Sequence, residues 1–116
     1  MKIKTNEASG VVLDWMVVYI QTYKATDGKP VLTEDLMRRA VKNGMASPST
    51  DWSQGGPIIE REKIGVWWDG VWHAKYDGCR PDQVQDAYTP LIAAMRCYVA
   101  SKLGDELEIP NELMGE

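Results

Sequence analysis

A hairpin signal in residues 64–76 limits the possible folds more than any other feature of the chain. Two short runs rich in β-branched and aromatic residues, Ile64–Trp68 and Val71–Tyr76, flank the dipeptide Asp69-Gly70. Asp-Gly between two such runs is a strong short-range signal for a two-residue β-turn. The sequence therefore predicts a tight Asp69-Gly70 hairpin within an antiparallel sheet.

Three helices are predicted around this sheet. Apolar residues at helical spacing predict a helix from Val11 to Tyr23, although its β-branched residues also allow a strand. A second helix is expected to begin after the N-cap Thr33 and to end at Asn43-Gly44. Thr89-Pro90 is a strong start for a third helix, which we expect to reach Gly104. The predicted fold class is α+β, with about three helices packed on a small antiparallel sheet.

Length and charge limit the class of protein further. The chain has 116 residues, which predicts a single domain over residues 1–116, with a mobile acidic tail from about residue 105. Its net charge of −4 argues against general nucleic-acid binding, which needs many cations facing phosphates. The absence of an apolar leader or spanning segment predicts a cytoplasmic protein without membrane contact, in which Cys79 and Cys97 are free thiols.

The segment PSTDWSQGGPIIERE, residues 48–62, carries the most unusual composition. Residues 45–56 are expected to form an irregular loop, with Pro57 opening a short helix or turn. Backbone N–H groups at Gly55-Gly56 could then face an anion, and the ring of Trp52 could stack on a base. The alternative is a structural loop in which Trp52 fills the core and the hydroxyl groups satisfy the backbone.

Other residues could complete a ligand site around this loop. Trp67 or Trp72 could supply a second stacking ring, and Arg96 or Arg61 a cationic fork for a phosphate. No GK[ST] sequence follows the glycines, so the loop is not a Walker motif. The candidate ligand-binding residues are Ser49, Thr50, Asp51, Trp52, Gln54, Gly55, Gly56, Trp67, Trp72 and Arg96.

The residues that carry chemistry do not form a recognisable catalytic or metal motif. His73 is the single histidine, and neither CxxC nor HxxxH occurs, so no metal and no cofactor are predicted. Cys79 and Cys97 lack a motif that would orient His73 as a base. Carboxyl groups near the loop leave acid–base chemistry as a lesser alternative. We therefore expect a protein without catalytic residues that is not an enzyme.

Three islands of sequence carry a family resemblance. MKIKTNEASGVVLDWMV, PSTDWSQGGPIIERE and TPLIAAMRCYVASKLGDELEIP occur in this order and spacing. Together they resemble the NinX-like family of small phage proteins, a domain of unknown function. The resemblance is weakest across Tyr23–Ala46 and Gly78–Ala87. It implies a gene of a tailed phage or prophage outside the structural set, acting in the cytoplasm of the infected bacterial host, and it supplies no catalytic residues.

Two non-catalytic classes of function are favoured, and a small enzyme ranks last as a third class. The first is a phage accessory protein for counter-defence, which binds and sequesters a nucleotide-derived small molecule in the Trp52 loop. The alternative is a protein-interaction module that inhibits or recruits a host factor, since five Trp and five Tyr in a chain without Phe favour partner surfaces. Apolar residues in the tail and the many indole rings also predict a homo-oligomer.

Overall fold

The computed structural model describes residues 1–24 and 33–114, so the turn predicted over residues 25–30 lies outside the described part. Its α-helices are α1 (Gly10–Tyr19, continued by a π-helical turn Ile20–Lys24), α2 (Glu34–Lys42), α3 (Trp52–Glu62) and α4 (Pro90–Leu103). Its strands are β1 (Lys2–Lys4), β2 (Gly65–Trp68), β3 (Trp72–Lys75), β4 (Gln85–Ala87) and β5 (Glu106–Glu108). The predicted α+β class is confirmed. The segment from Val11, for which a strand was also possible, is the helix α1.

Helix α4 forms the centre of the molecule. It begins at the predicted Thr89, whose Oγ1 accepts a hydrogen bond from the N–H of Ile92 at 3.1 Å. The helix contacts α1 and α3 as well as all three strands of the larger sheet. Its fully buried side chains include Met95, Tyr98 and Val99. A helix covered on several sides needs apolar residues around most of its circumference, which explains why its sequence has no clear polar face.

The larger sheet has the strand order β2-β3-β4, and both pairs are antiparallel. The hairpin is confirmed, but its loop is longer than the predicted two residues. Trp68 opposite Trp72 is the last pair, so Asp69, Gly70 and Val71 all belong to the loop. Gly70 has φ +109°, a conformation that side chains rarely allow. The loop has three residues instead of two because Val71 does not pair with a residue of β2.

A second, two-stranded sheet joins the two ends of the chain. β1 and β5 pair antiparallel, so that Lys2 lies opposite Glu108 and Lys4 lies opposite Glu106. Opposite charges across a strand pair stabilise it, and the sequences KIK and ELE match in this way. After β5, the side chain of Ile109 is buried. The structure thus packs the tail against the body, and the predicted mobility of the tail stays a prediction.

The segment predicted as an irregular loop contains a fourth helix. The prediction for residues 45–56 was wrong beyond Asp51, because α3 begins at Trp52 rather than at Pro57. Asp51 caps the helix by accepting a hydrogen bond from the N–H of Ser53 at 2.9 Å. Pro57 is tolerated inside the helix partly because the preceding Gly56 has no Cβ to collide with the proline ring.

Candidate functional site

The polar side chains of the 48–62 segment bond mainly to the segment itself. The amide of Gln54 accepts from the N–H of Ser47 at 2.8 Å and donates to the carbonyl oxygen of Met45 at 3.1 Å. Asp51 accepts from the N–H and the hydroxyl of Ser53, and these hydrogen bonds lower the pKa of its carboxyl group. These groups hold the turn that starts α3.

Close packing requires a glycine at position 55. A Cβ built there would lie 2.5 Å from Cδ1 of Leu91 and 2.5 Å from the carbonyl oxygen of Pro48. Its N–H donates to the carbonyl oxygen of Asp51 at 2.9 Å. Gly56 follows within the helix, where a Cβ would meet only Cε3 of Trp52 at 3.9 Å. Gly55, rather than Gly56, therefore lets α3 approach α4 closely.

Ser49 is also held inside the fold. It is buried, and its N–H donates to Oδ1 of Asp14 in α1 at 2.8 Å. Burial raises the pKa of the Asp14 carboxyl group, and hydrogen bonds from Ser49 oppose that rise. The Ser49 hydroxyl lacks a well-aligned hydrogen-bond partner. Thr50, the next residue, is exposed, and its N–H donates to the carbonyl oxygen of Ser47.

Trp52 does not fill the core. It is 55% exposed, and it does not line the aromatic cavity described below. As the first residue of α3, it lies on the surface beside the capping Asp51. The structure thus keeps the predicted residues from Ser49 to Gly56 together as one turn and helix start, with the indole ring outside it.

The remaining predicted residues lie elsewhere. Trp67 and Trp72 occupy opposite faces of the sheet, because Trp67 pairs with His73 and Trp72 with Trp68. Trp72 packs against the core. Arg96 donates to the carbonyl oxygens of Ala8 and Asp86, each at 2.7 Å, and burial lowers its pKa. The two indole rings and the guanidinium group are not brought together with the turn before α3.

A charged cluster lies on the solvent face of the sheet. His73 Nδ1 bonds to Oδ1 of Asp86 at 2.5 Å, and Nε2 bonds to Oδ1 of Asp69. These two contacts, that to Asp69 first, raise the pKa of His73. Trp67 stacks on the imidazole with ring centroids 5.2 Å apart, and Nζ of Lys75 lies 5.8 Å from the indole centroid. The sequence signal is the alternation along β3, which puts His73 and Lys75 on one face.

Sequence reasoning missed an aromatic cavity beside α1. Trp15, Tyr19 and Tyr23 are four residues apart and stack in a ladder, with centroid separations of 5.2 and 5.0 Å. This spacing is visible in the sequence and places the three rings along one side of the helix. They line a cavity of about 410 Å³ together with residues of α2 and of the tail. That volume falls within the range of small-molecule sites, roughly 300–1,000 Å³.

The cavity combines these aromatic rings with paired charges, and a buried donor lies at the base of the ladder. Arg38 forms an ion pair with Glu34 at 3.4 Å, and the amino group of Met1 forms one with Glu108 at 3.4 Å. Trp15 is only 4% exposed, and its buried Nε1 has no hydrogen-bond partner among residues 1–24 and 33–114. An unpartnered buried N–H is unusual in native proteins, since each one loses its bond to water. The base of the ladder therefore contains a buried donor for which the described residues supply no acceptor.

The described residues offer neither a metal site nor a membrane-spanning helix. Among residues 1–24 and 33–114, no group of three or more His, Cys, Asp or Glu side chains is arranged to hold a metal ion. Within the same residues, no helix is long and apolar enough to cross a membrane.

Comparison with known proteins places the chain in a family. No curated protein matches the sequence significantly. The family model described as "Bacteriophage P22, NinX" matches residues 4–102, which include α1 to α3, the entire larger sheet and all of α4 except its last residue. The match covers most of the chain and agrees with the family expected from its three sequence islands. The chain therefore belongs to the bacteriophage P22 NinX family, and it is a phage accessory protein.

Proposed function

We propose that this accessory protein acts by binding a nucleobase-containing small molecule and sequestering it, without catalysis, in the cytoplasm of the infected host. The observation that carries the proposal is the cavity lined by the Trp15–Tyr19–Tyr23 ladder. The proposal keeps the ligand class expected from the sequence and moves the site from the Trp52 turn to this cavity.

The walls of the cavity suit a planar ligand. Stacking of a base on an aromatic side chain contributes about 1–3 kcal/mol and tolerates any base. Tyr19 and Tyr23 are half-buried, so part of each ring is accessible, whereas Trp15 supports the ladder from below. Asn111 adds an amide to the lining. Few polar groups among apolar walls are typical of sites that fix the orientation of a small ligand.

The charges around the cavity favour a ligand with few phosphates. Arg38 and the amino group of Met1 are its cations, and Glu34 and Glu108 are its anions. Each cation is already paired, so the lining is close to neutral. A phosphate at Arg38 would have to compete with Glu34 at 3.4 Å and with Asp35 at 3.1 Å. Surface ion pairs contribute only about 0–1 kcal/mol each, so one phosphate can be accommodated there at a small cost. A nucleoside or a nucleotide with one or two phosphates therefore fits better than a polyphosphate.

A thermal-shift and calorimetry panel tests the proposal. The panel contains adenosine, guanosine, their monophosphates, cyclic dinucleotides and ADP-ribose, each added well above a plausible Kd. A ligand at about 100 times its Kd stabilises the folded state by about 2.7 kcal/mol, which a melting curve detects easily. If no compound raises the melting temperature or gives binding heat, the proposal is wrong.

A matched pair of variants locates the site. Tyr23→Ala removes a ring of the ladder and should abolish or strongly weaken binding. Trp52→Ala removes an exposed ring that lies outside this cavity, and it should leave the affinity unchanged. The opposite result, with loss of binding only in Trp52→Ala, would return the site to the turn before α3.

A second candidate is a protein-interaction module, which the exposed aromatic residues favour. Trp68 is 63% exposed and Tyr88 is 94% exposed, and large aromatic rings are enriched at interfaces. Affinity capture from infected cells, with a double variant Trp68→Ser/Tyr88→Ser as control, tests this function. A host protein retained by the wild type and lost by the variant supports it. Equal retention by both proteins argues against this surface.

A further inference from the structure

We infer that the outer edge of β2 is a docking edge for a second copy of this chain, which adds its own β2 in antiparallel orientation about a two-fold axis. The inference goes beyond the proposed function, because it concerns the sheet and not the aromatic cavity. It also identifies the surface behind the homo-oligomer expected from the sequence.

The first argument is the unpaired backbone of β2. This strand pairs with β3 on one side. On its other side, no strand within residues 1–24 and 33–114 pairs with it, and none of the additional backbone hydrogen bonds in that range involves Gly65–Trp68. An edge strand of this kind presents a row of N–H and C=O groups that another strand can bind.

The second argument is a contrast between the two edges of the same sheet. At the opposite edge, the carbonyl oxygen of Asp86 in β4 accepts from Nη1 of Arg96 at 2.7 Å, and a carboxylate stands on the strand. Charges and side-chain cover of this type keep an edge from pairing with other chains. β2 has the sequence GVWW, without charge or proline, and three of its four residues are exposed. The protection present on β4 is missing on β2.

The third argument explains why a second copy fits this edge. Antiparallel pairing about a two-fold axis joins one strand to itself, so each copy supplies the groups that the other lacks. Lys63 precedes β2 and Asp69 follows it. Self-pairing therefore brings Lys63 of one copy toward Asp69 of the other. Because the whole chain carries a net charge of −4, an uncharged strand with opposite charges at its ends is a favourable place for two copies to meet.

Light scattering and sedimentation over a wide concentration range test the inference. The wild type should show a concentration-dependent species of twice 13.0 kDa. Trp67→Glu places like charges beside the two-fold axis and should raise the dimer Kd at least about tenfold. Trp52→Glu is the matched control, because it changes another exposed tryptophan on α3 in the same way and should leave the Kd unchanged.

Circular dichroism confirms first that both variants are folded. If Trp67→Glu does not fold, Lys63→Glu and Lys63→Arg decide instead, since the first should weaken the dimer and the second should keep it. A wild type that remains a 13.0 kDa monomer at every concentration overturns the inference. A dimer Kd that changes no more in Trp67→Glu than in the control Trp52→Glu also overturns the inference.

Discussion

The buried carboxyl group of Asp14 accepts a hydrogen bond from the N–H of Ser49 at 2.8 Å and so ties α1 to the turn that leads into α3. Thirty-five residues separate these two partners. A buried carboxyl group in the middle of an apolar helix is costly unless it is bonded. Its presence at this contact indicates that the turn is held in place from inside the fold.

Replacing Asp14 should show what this contact contributes. Asp14→Ala leaves the N–H of Ser49 without an acceptor and should lower the free energy of unfolding by about 2–3 kcal/mol. Asp14→Asn keeps an acceptor oxygen, and its new N–H groups can use the Ser49 hydroxyl, which lacks an aligned partner. We expect the amide variant to lie within about 1 kcal/mol of the wild type. Urea denaturation at neutral pH measures both changes, and equal destabilisation of the two would refute this role.

Asp14 should also make stability depend on pH. Burial raises its pKa in the folded state above the ordinary value of 3.8. The folded protein therefore binds this proton more tightly than the unfolded chain does. Stability falls as the pH rises from the unfolded pKa of Asp14 through its folded pKa. As the pH is lowered toward 4, the wild type should gain stability relative to Asp14→Asn. Unfolding curves of both proteins at several pH values reveal the difference, and parallel curves would contradict it.

The close approach of α3 to α4 predicts different effects for two neighbouring glycines. Gly55→Ala puts a methyl group 2.5 Å from the backbone oxygen of Pro48, which cannot rotate away, and should cost about 1–3 kcal/mol. Gly56→Ala meets only a ring atom of Trp52 at 3.9 Å and should cost clearly less, even though it precedes Pro57. Chemical denaturation compares the two. A Gly56→Ala protein as unstable as Gly55→Ala would contradict the close-packing role.

Local signals in the sequence predicted much of the fold, and long-range contacts account for the rest. The helix starts at Thr33 and Thr89 and the hairpin at Asp69-Gly70 depend on interactions within a few residues. The local sequence was therefore enough to predict them. The 48–62 segment could not, because its composition is equally typical of a loop. Gly55 suits this helix because it packs closely against Leu91. The two residues are 36 positions apart, so the sequence near Gly55 does not reveal this contact.

The candidate site shows the same limit. The stacking partners of Tyr19 follow from helical spacing alone, so the ladder could have been predicted. The cavity could not, because the tail residues Ile109, Pro110 and Asn111 form its other wall. They reach it through the pairing of β1 with β5, a contact between the two ends of the chain. The complementary charges of KIK and ELE fit this pairing, but many other segments carry similar charges. The sequence alone therefore does not select these two strands as partners.

The N-caps of two helices predict a further difference in stability. Thr89 Oγ1 bonds to the N–H of Ile92, whereas Ser9, at the same position before α1, makes no side-chain bond to its helix. Thr89→Ala should therefore lower the free energy of unfolding by about 1 kcal/mol, and Ser9→Ala should change it little. Thermal and urea unfolding of the two variants provide the measurement. A larger effect at Ser9 would show that the caps are assigned wrongly.

The hydrogen-bonded imidazole of His73 makes the stability of the sheet depend on pH above neutrality, whereas Asp14 acts at acidic pH. Hydrogen bonds to Asp69 and then Asp86 raise its pKa above the ordinary value of 6.5. A group whose pKa is raised on folding contributes its full stability below the unfolded value and loses it as pH rises through the folded value. The charged sheet cluster should therefore weaken above neutral pH. Titration of the single histidine by NMR should give a pKa above 6.5.

Variants of the two carboxylates separate their contributions to this shift. Asp69→Asn should lower the pKa of His73 more than Asp86→Asn, because the hydrogen bond to Asp69 is the larger cause. Since Trp67 stacks on the imidazole, its fluorescence should follow the same titration and lose that step in His73→Gln. If the histidine titrates at or below 6.5, or neither variant moves its pKa, the imidazole does not hold its proton between these carboxylates in solution.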